Sequence, residues 1–223
     1  MDKILQSRIC DLKEFYRLHN SSYKWPERDW RRLIITMELL EKAKFERVLD
    51  VGPGQGQFVN LASSVWPGLS ITTIDITVNS KYVEIGGLSC EKYIENIDLP
   101  SERLRQLPIA QKFDFVNAQE VLEHISIENL PDVVLFLSEI SQQGVLFSVP
   151  FCEKEPLYHF DKPYGHKQSF DEENLSQIFK DSIFVPIVND TWWLGYMSSQ
   201  LGTSGKVDGL DEFKLAMQRS LMA

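Results

Sequence analysis

The chain has 223 residues, 43% of them hydrophobic, and a formal net charge of -9. That length suits one α/β domain with a full core, and the hydrophobic share argues for a globular chain over a disordered one. The acidic balance disfavours a nucleic-acid partner, which needs clustered Lys and Arg, and leaves a small-molecule substrate as the better fit. No apolar run approaches the about 18 residues of a membrane span. The polar start Met1-Asp2-Lys3 has no secretory apolar region, so a cytoplasmic protein without membrane contact is expected. Cys10, Cys90 and Cys152 lie far apart with no C-x-x-C pair, which suggests free thiols and no structural zinc.

From about Lys3 to His19, Ile4, Leu5, Ile9, Leu12, Phe15 and Tyr16 recur among charges, the pattern of an amphipathic helix. Trp25-Pro26 opens a second, with Trp30, Leu33, Ile34, Met37 and Leu40 on one side; Pro26 suits a first helical turn. Arg47 to Phe58 then joins strand formers (Val48, Leu49, Val51) to three alternating glycines, Gly52, Gly54 and Gly56, and a helical pattern starts at Phe58. Such a turn lets backbone N–H groups and a helix N-terminus approach a ligand closely. Its spacing is G-x-G-x-G, not the dinucleotide pattern G-x-G-x-x-G, which disfavours a nicotinamide-dependent oxidoreductase. Asp50 sits inside the strand. A buried carboxylate is costly unless paired, so Asp50 calls for a cation, and a ligand ammonium is a natural one.

Val48 to Gly56 resembles motif I of the class I S-adenosylmethionine-dependent methyltransferases, small-molecule type. The resemblance covers about Val48 to Phe170. It implies a Rossmann-like, doubly wound, mostly parallel sheet with a C-terminal antiparallel hairpin and N-terminal cap helices. It also implies S-adenosyl-L-methionine as cofactor, with Asp50 and the glycine turn at its amino-acid end. One domain spans the chain: cap helices at 1–45, a cofactor-binding core at 46–200, and a linker with a terminal helix at 201–223.

Leu69 to Ile76 is a β-branched second strand. Asp75 lies near its end, 19 residues after Gly56, where doubly wound sheets place the acid that takes ribose hydroxyls; Ile76 follows it in the cofactor site. Lys92 to Leu99 reads as a third strand with Asp98 at its end, where the resemblance puts an acid against the adenine amino group. Phe113 to Gln119 is the fourth strand, and the resemblance has Asn117, Ala118 and Gln119 line the cofactor cleft. Glu120 and His124, four apart, would share a helix face. They form either a metal or catalytic pair or, the reading adopted, a packing histidine held by a carboxylate, with Glu123 pointing elsewhere. Leu130-Pro131 opens a helix, and Val145 to Val149 is a fifth buried strand.

Phe151 to Ser169 follows that strand and carries four aromatics, His159, His166 and three lysines, suited to a sugar, an aromatic ring or a phosphorylated molecule. The run Gly165-His166-x-x-x-Phe170 resembles one common in small-molecule methyltransferases and raises His166, or His159, as general base. Histidine is poised near neutral pH to take the proton of a hydroxyl acceptor. His159, Asp161 and His166 are too irregularly spaced to name as a metal set. Asp171 is a plausible N-cap. Ser182 to Asn189 and Thr191 to Met197 read as the closing antiparallel pair. The helix from Leu210 to Met222 docks on the domain or on a second subunit, as in a homodimer. The leading expectation is O-methylation of a sugar or other metabolite hydroxyl. The alternative is a non-catalytic subunit of this fold that acts through protein partners.

Overall fold

The computed structural model describes residues 7–11, 14, 27–42, 45–54, 56–76, 90–94, 97–107, 109, 112–150, 165–179, 183–187 and 192–198. His159, most of the loop after the fifth strand, and the expected linker and terminal helix at 201–223 lie outside them.

Seven strands form one sheet in the order β3-β2-β1-β4-β5-β7-β6. They are β1 (Arg47–Val51), β2 (Ser70–Asp75), β3 (Cys90–Ile94), β4 (Phe113–Gln119), β5 (Ser141–Pro150), β6 (Ile183–Ile187) and β7 (Trp192–Ser198). The first five run parallel. β7 pairs antiparallel with both β5 and β6, as the chain's C-terminal pattern predicts; the connection at 188–191 is outside the described residues. The central strands are buried on both faces. Val48, Leu49 and Val51 of β1 and Val145, Leu146, Phe147 and Val149 of β5 are all at 2% exposure or less. Continuous apolar runs of this kind belong to parallel strands covered by helices on both sides.

The helices are α1 (residues 7–11), α2 (Glu27–Lys42), α3 (Gln57–Val65), α4 (Ser101–Leu104), α5 (Leu130–Ile140) and α6 (Glu172–Ile178). Pro131 opens α5, where its missing N–H costs nothing. Leu130, Val133, Val134 and Leu137 then turn one stripe into the core. Asp171 caps α6 through a reciprocal box with Asn174, as its sequence position predicts. β5 and β7 meet over Phe147, which stacks on Phe179 with ring centroids 4.2 Å apart. Gly195 of β7 lies against that ring so closely that a Cβ there would stand 2.3 Å from Phe147 Cζ.

Two expectations are corrected. β3 ends at Ile94, so Asp98 lies in the following loop and not at a strand end. β3 is defined by its pairing with β2, from Ile71↔Cys90 to Asp75↔Ile94, and not by the later apolar residues Ile97 and Leu99. Glu120 and His124 do not share a helix face. Glu120 takes a left-handed backbone (φ 58°), and only a 3₁₀ turn, Leu122–His124, follows.

Candidate active site at the carboxyl ends of the parallel strands

The chain moves outward from β1 through β2 to β3, then returns to β4 on the other side of β1. In open α/β sheets the crevice at such a reversal is where ligands bind. Asp50 of β1 and Asn117 of β4 are paired across it. Asn117 Nδ2 donates to Asp50 Oδ1 at 2.7 Å, and both residues are 2% exposed. The second oxygen, Asp50 Oδ2, is buried with no hydrogen-bond partner among the described residues. Burial pushes the Asp50 carboxyl up to about 7; the Asn117 bond opposes this and the nearby Asp75 charge adds to it. A group held this way accepts a cation readily, because the incoming charge restores what burial removed.

The turn beyond Asp50 is shaped for close approach. Gly52, Gly54 and Gly56 have φ of 60°, 56° and 78°. A Cβ on Gly52 would stand 2.5 Å from Val121 Cγ2, so the turn is pressed against the exit of β4. Gly52 N donates to Ile74 O, which ties the turn to β2. Gly56 is the N-cap of α3, and no side chain caps that helix. Its first residue, Gln57, is buried, and Gln57 Nε2 also lacks a partner among the described residues. Gln57 carries no signal in the sequence, since a polar residue at a helix start is ordinarily solvated. Asp75 is partly buried at the end of β2, and Ile76 beyond it is 43% exposed, a high value for a large apolar side chain.

Asp98 and Ala118 are placed differently from expectation. Asp98 Oδ1 accepts from Ser126 N (3.0 Å) and Asn129 Nδ2 (2.8 Å), while Oδ2 accepts from Ser126 Oγ (2.5 Å) and Lys167 Nζ. A carboxylate has about four acceptor sites. An adenine amino group would have to displace one of these donors. Burial raises the Asp98 pKa, but the bonds from Lys167, Ser126 and Asn129 outweigh it and leave the carboxyl below its ordinary value. Ala118 is wholly buried in the core and has no surface toward the cleft.

At the exit of β4 a polar chain leads to α2. Gln119 Nε2 donates to Asn117 Oδ1 (2.9 Å) and to Thr36 Oγ1. Arg32, one helical turn before Thr36, pairs with Glu120 Oε1 at 2.7 Å, and Ser148 Oγ donates to the same oxygen at 2.7 Å. These bonds hold α2 over the ends of β4 and β5. The carboxylate that was expected to hold His124 therefore holds Arg32. His124 instead packs edge-to-face on His166, with ring centroids 4.9 Å apart, and Glu123 joins them.

No helix among the described residues is long and apolar enough to cross a membrane. No curated protein matches the chain. Among solved structures, the fold resembles that of 1,6-didemethyltoxoflavin-N1-methyltransferase from Burkholderia thailandensis, crystallised with 1,6-didemethyltoxoflavin and S-adenosylhomocysteine. The TM-score is 0.58 at 14% identity, over 89% of this chain and 91% of that one. Magnesium protoporphyrin IX methyltransferase from Synechocystis gives 0.56 at 14% identity, over 85% and 94%. An O-methyltransferase family protein from Burkholderia thailandensis gives 0.57 at 11% identity; the match covers 88% of this chain but 60% of that longer one. A family model described as a methyltransferase domain matches residues 21–185. With that match spanning most of the chain, over a glycine turn and a buried acid at the sheet's reversal point, the chain belongs to the methyltransferase-domain family of class I, S-adenosylmethionine-dependent enzymes.

Proposed function

We propose that the chain methylates a hydroxyl of a small molecule, such as a sugar or another metabolite. Bound S-adenosylmethionine supplies an electrophilic methyl on a sulfonium; the chain's own residues bind, orient and remove a proton. The observation that carries the cofactor reading is the orphaned Asp50 Oδ2, buried beside three left-handed glycines. The amino-acid end of the cofactor bears an ammonium and a carboxylate. Asp50 Oδ2 suits the first. Gln57 Nε2 and the uncapped N-terminus of α3 suit the second. Asp75 is positioned for the ribose hydroxyls and Ile76 for an apolar contact with the base. Asn117 and Gln119 act from behind, orienting Asp50 and tying the cleft to α2. Asp98 serves the loop at 165–168 and is left out of the cofactor contacts.

On this reading the acceptor enters at the exit of β4, in front of the methyl, where His166 is partly exposed. His166 receives the hydroxyl proton as oxygen attacks carbon. Most of the catalysis is positioning, with proton removal contributing a further factor of roughly 10²–10⁴. The neighbours of shared fold include enzymes described as acting at a ring nitrogen and on a porphyrin, so fold alone does not select oxygen. The histidine at the acceptor end supports that choice, since an alkyl hydroxyl needs its proton removed. Calorimetric titration with S-adenosylhomocysteine tests the cofactor site, and absence of binding at millimolar ligand overturns the reading. Methyl transfer to paired hydroxyl and amine acceptors tests the chemistry. Transfer to amines alone would refute O-methylation.

A further inference from the structure

The exit of β4 holds a second set of ligating atoms that the cofactor site does not use. A carboxylate oxygen of Glu123 and one ring nitrogen each from His124 and His166 all lie within 4.8 Å of one another. Glu123 is 1% exposed, while the two histidines are partly buried, so the set has a closed side and an open side. The convergence is imposed by the backbone. Lys167 N donates to Glu123 O at 2.7 Å. Gln168, itself buried, donates through Nε2 to Leu122 O (3.0 Å) and Ile125 O (2.7 Å). Lys167 Nζ is anchored on Asp98. The two residues after His166 are thus pinned to the turn carrying Glu123 and His124, and the three side chains meet without having to find one another.

The tautomer of His124 is set as well. Its Nδ1 lies 3.1 Å from Gly165 O. A carbonyl only accepts, so Nδ1 carries the hydrogen and Nε2 is the nitrogen with the lone pair. Metal-bound histidines are oriented in this way, the second ring nitrogen donating to a backbone carbonyl. Two imidazoles and one carboxylate, with one side open, form a common donor set for zinc and other first-row divalent ions.

We propose that Glu123, His124 and His166 bind one divalent first-row transition ion, whose open coordination position takes the acceptor oxygen. Metal–ligand bonds of about 2.1 Å bring two ligands of one ion to within about 4.2 Å of each other. Rotation of the partly exposed His166 ring closes the remaining gap. The ion would give the acceptor a fixed point of attachment. It also changes the role of His166, whose lone pair goes to the ion. The acceptor hydroxyl binds the ion and releases its proton to water. A lone pair of that oxygen then forms the new O–CH₃ bond, and the S–CH₃ bond breaks with its electron pair staying on sulfur. The methylated oxygen, now uncharged, is a weaker ligand and leaves. This role rests on the reading above that the acceptor sits at the exit of β4.

The test uses the full-length chain, stripped with a chelator and titrated with Co²⁺. Visible d–d absorption saturating at one ion per chain is expected. His166→Ala and Glu123→Gln should abolish it. Because Glu123→Gln alters a buried residue, circular dichroism melting accompanies it, and the partly exposed His166→Ala carries the result if that variant unfolds. S-adenosylhomocysteine binding is measured on the same samples. Cofactor binding without Co²⁺ absorption, or Co²⁺ absorption unchanged in His166→Ala, overturns the metal site and leaves the methyltransferase reading intact. Co²⁺ absorption without cofactor binding does the reverse. Methyl transfer that is unaffected by stripping would overturn the acceptor role of the ion.

Discussion

Asn117 donates to one oxygen of Asp50 across the β1–β4 pairing, and the other oxygen of Asp50 is left buried without a partner among the described residues. The pair therefore holds the carboxylate in one orientation without neutralising it. Asp50→Asn should keep the shape and remove the charge. S-adenosylhomocysteine affinity is expected to fall roughly 10- to 100-fold, in line with about 1.5–3 kcal/mol for a hydrogen bond to a charged group. Calorimetry on the variant, with thermal unfolding as a control, checks this. The melting temperature should hold or rise, since a costly buried acid has been replaced by a neutral amide.

The same carboxyl makes two pH dependences of opposite sign. Its folded pKa is raised from 3.8 to about 7. The cofactor-free protein binds a proton there that the unfolded chain has already lost. This contribution to stability is full below about pH 4 and is lost as pH rises through about 7. Binding of an ammonium needs the ionised form, so cofactor affinity should climb toward pH 7 and level off above it. Titrations from pH 5.5 to 8.5 on wild type and Asp50→Asn separate the two, because the variant should lose this slope in both measurements.

Gly52 and Gly54 share a left-handed backbone but differ in surroundings. Beside Gly54 the nearest atom to an added Cβ is a backbone oxygen at 4.0 Å, whereas beside Gly52 it is Val121 Cγ2 at 2.5 Å. Gly54→Ala should cost roughly 1–2 kcal/mol from backbone strain alone. Gly52→Ala adds overpacking and should cost about 2–4 kcal/mol. Urea unfolding of the two variants measures the difference. Equal losses would mean that Val121 does not press on the turn.

Features local in sequence were legible, and features made by long-range backbone contacts were not. Asp50, the glycines and the cap at Asp171 each sit within a few residues of the signal that identifies them, and Asp75 sits at a strand end at a fixed spacing from the glycines. The parallel sheet covered by helices followed from alternating strands and helices. The Glu123–His124–His166 cluster had no such signal. Its members are brought together by Lys167 N and Gln168 Nε2 bonding to the backbone at the exit of β4, more than forty positions earlier. Helical spacing actively misled, because Glu120 and His124 share a face only on an α-helix, and the left-handed Glu120 prevents one from starting there. Saturation of Asp98 was hidden for the same reason: its donors come from two distant stretches, Ser126 with Asn129 and then Lys167.

Arg32 and Glu120 form a charged link between α2 and the strand ends, with side chains 14% and 21% exposed. Removing one partner leaves the other partly buried and less well compensated. Arg32→Ala should cost about 1–3 kcal/mol and raise amide exchange along residues 27–42. A double-mutant cycle with Glu120→Gln gives the coupling between the two, which should exceed 0.5 kcal/mol in size as expected for residues in direct contact. Independent, additive losses would show that the ion pair itself adds nothing to the hold on α2.

Asp98 is held below its ordinary pKa by Lys167, Ser126 and Asn129 in spite of burial. Its stabilising contribution is therefore present above the usual carboxylate pKa and is lost as pH falls through the lowered folded value. Asp98→Asn keeps the shape but gives up the charge on which Lys167 Nζ rests. At pH 6 the variant should be less stable than wild type in urea, and the gap should narrow as pH falls below the ordinary carboxylate range, where the unfolded chain takes up a proton before the folded one does. Amide exchange at residues 165–168 should rise in the variant at pH 6, because Lys167 is then tied to the exit of β4 through its backbone alone. A stability gap that stays constant between pH 6 and pH 3 would show that the ionised form of Asp98 contributes nothing, and that the neutral hydrogen bonds to Ser126 and Asn129 suffice to hold the loop.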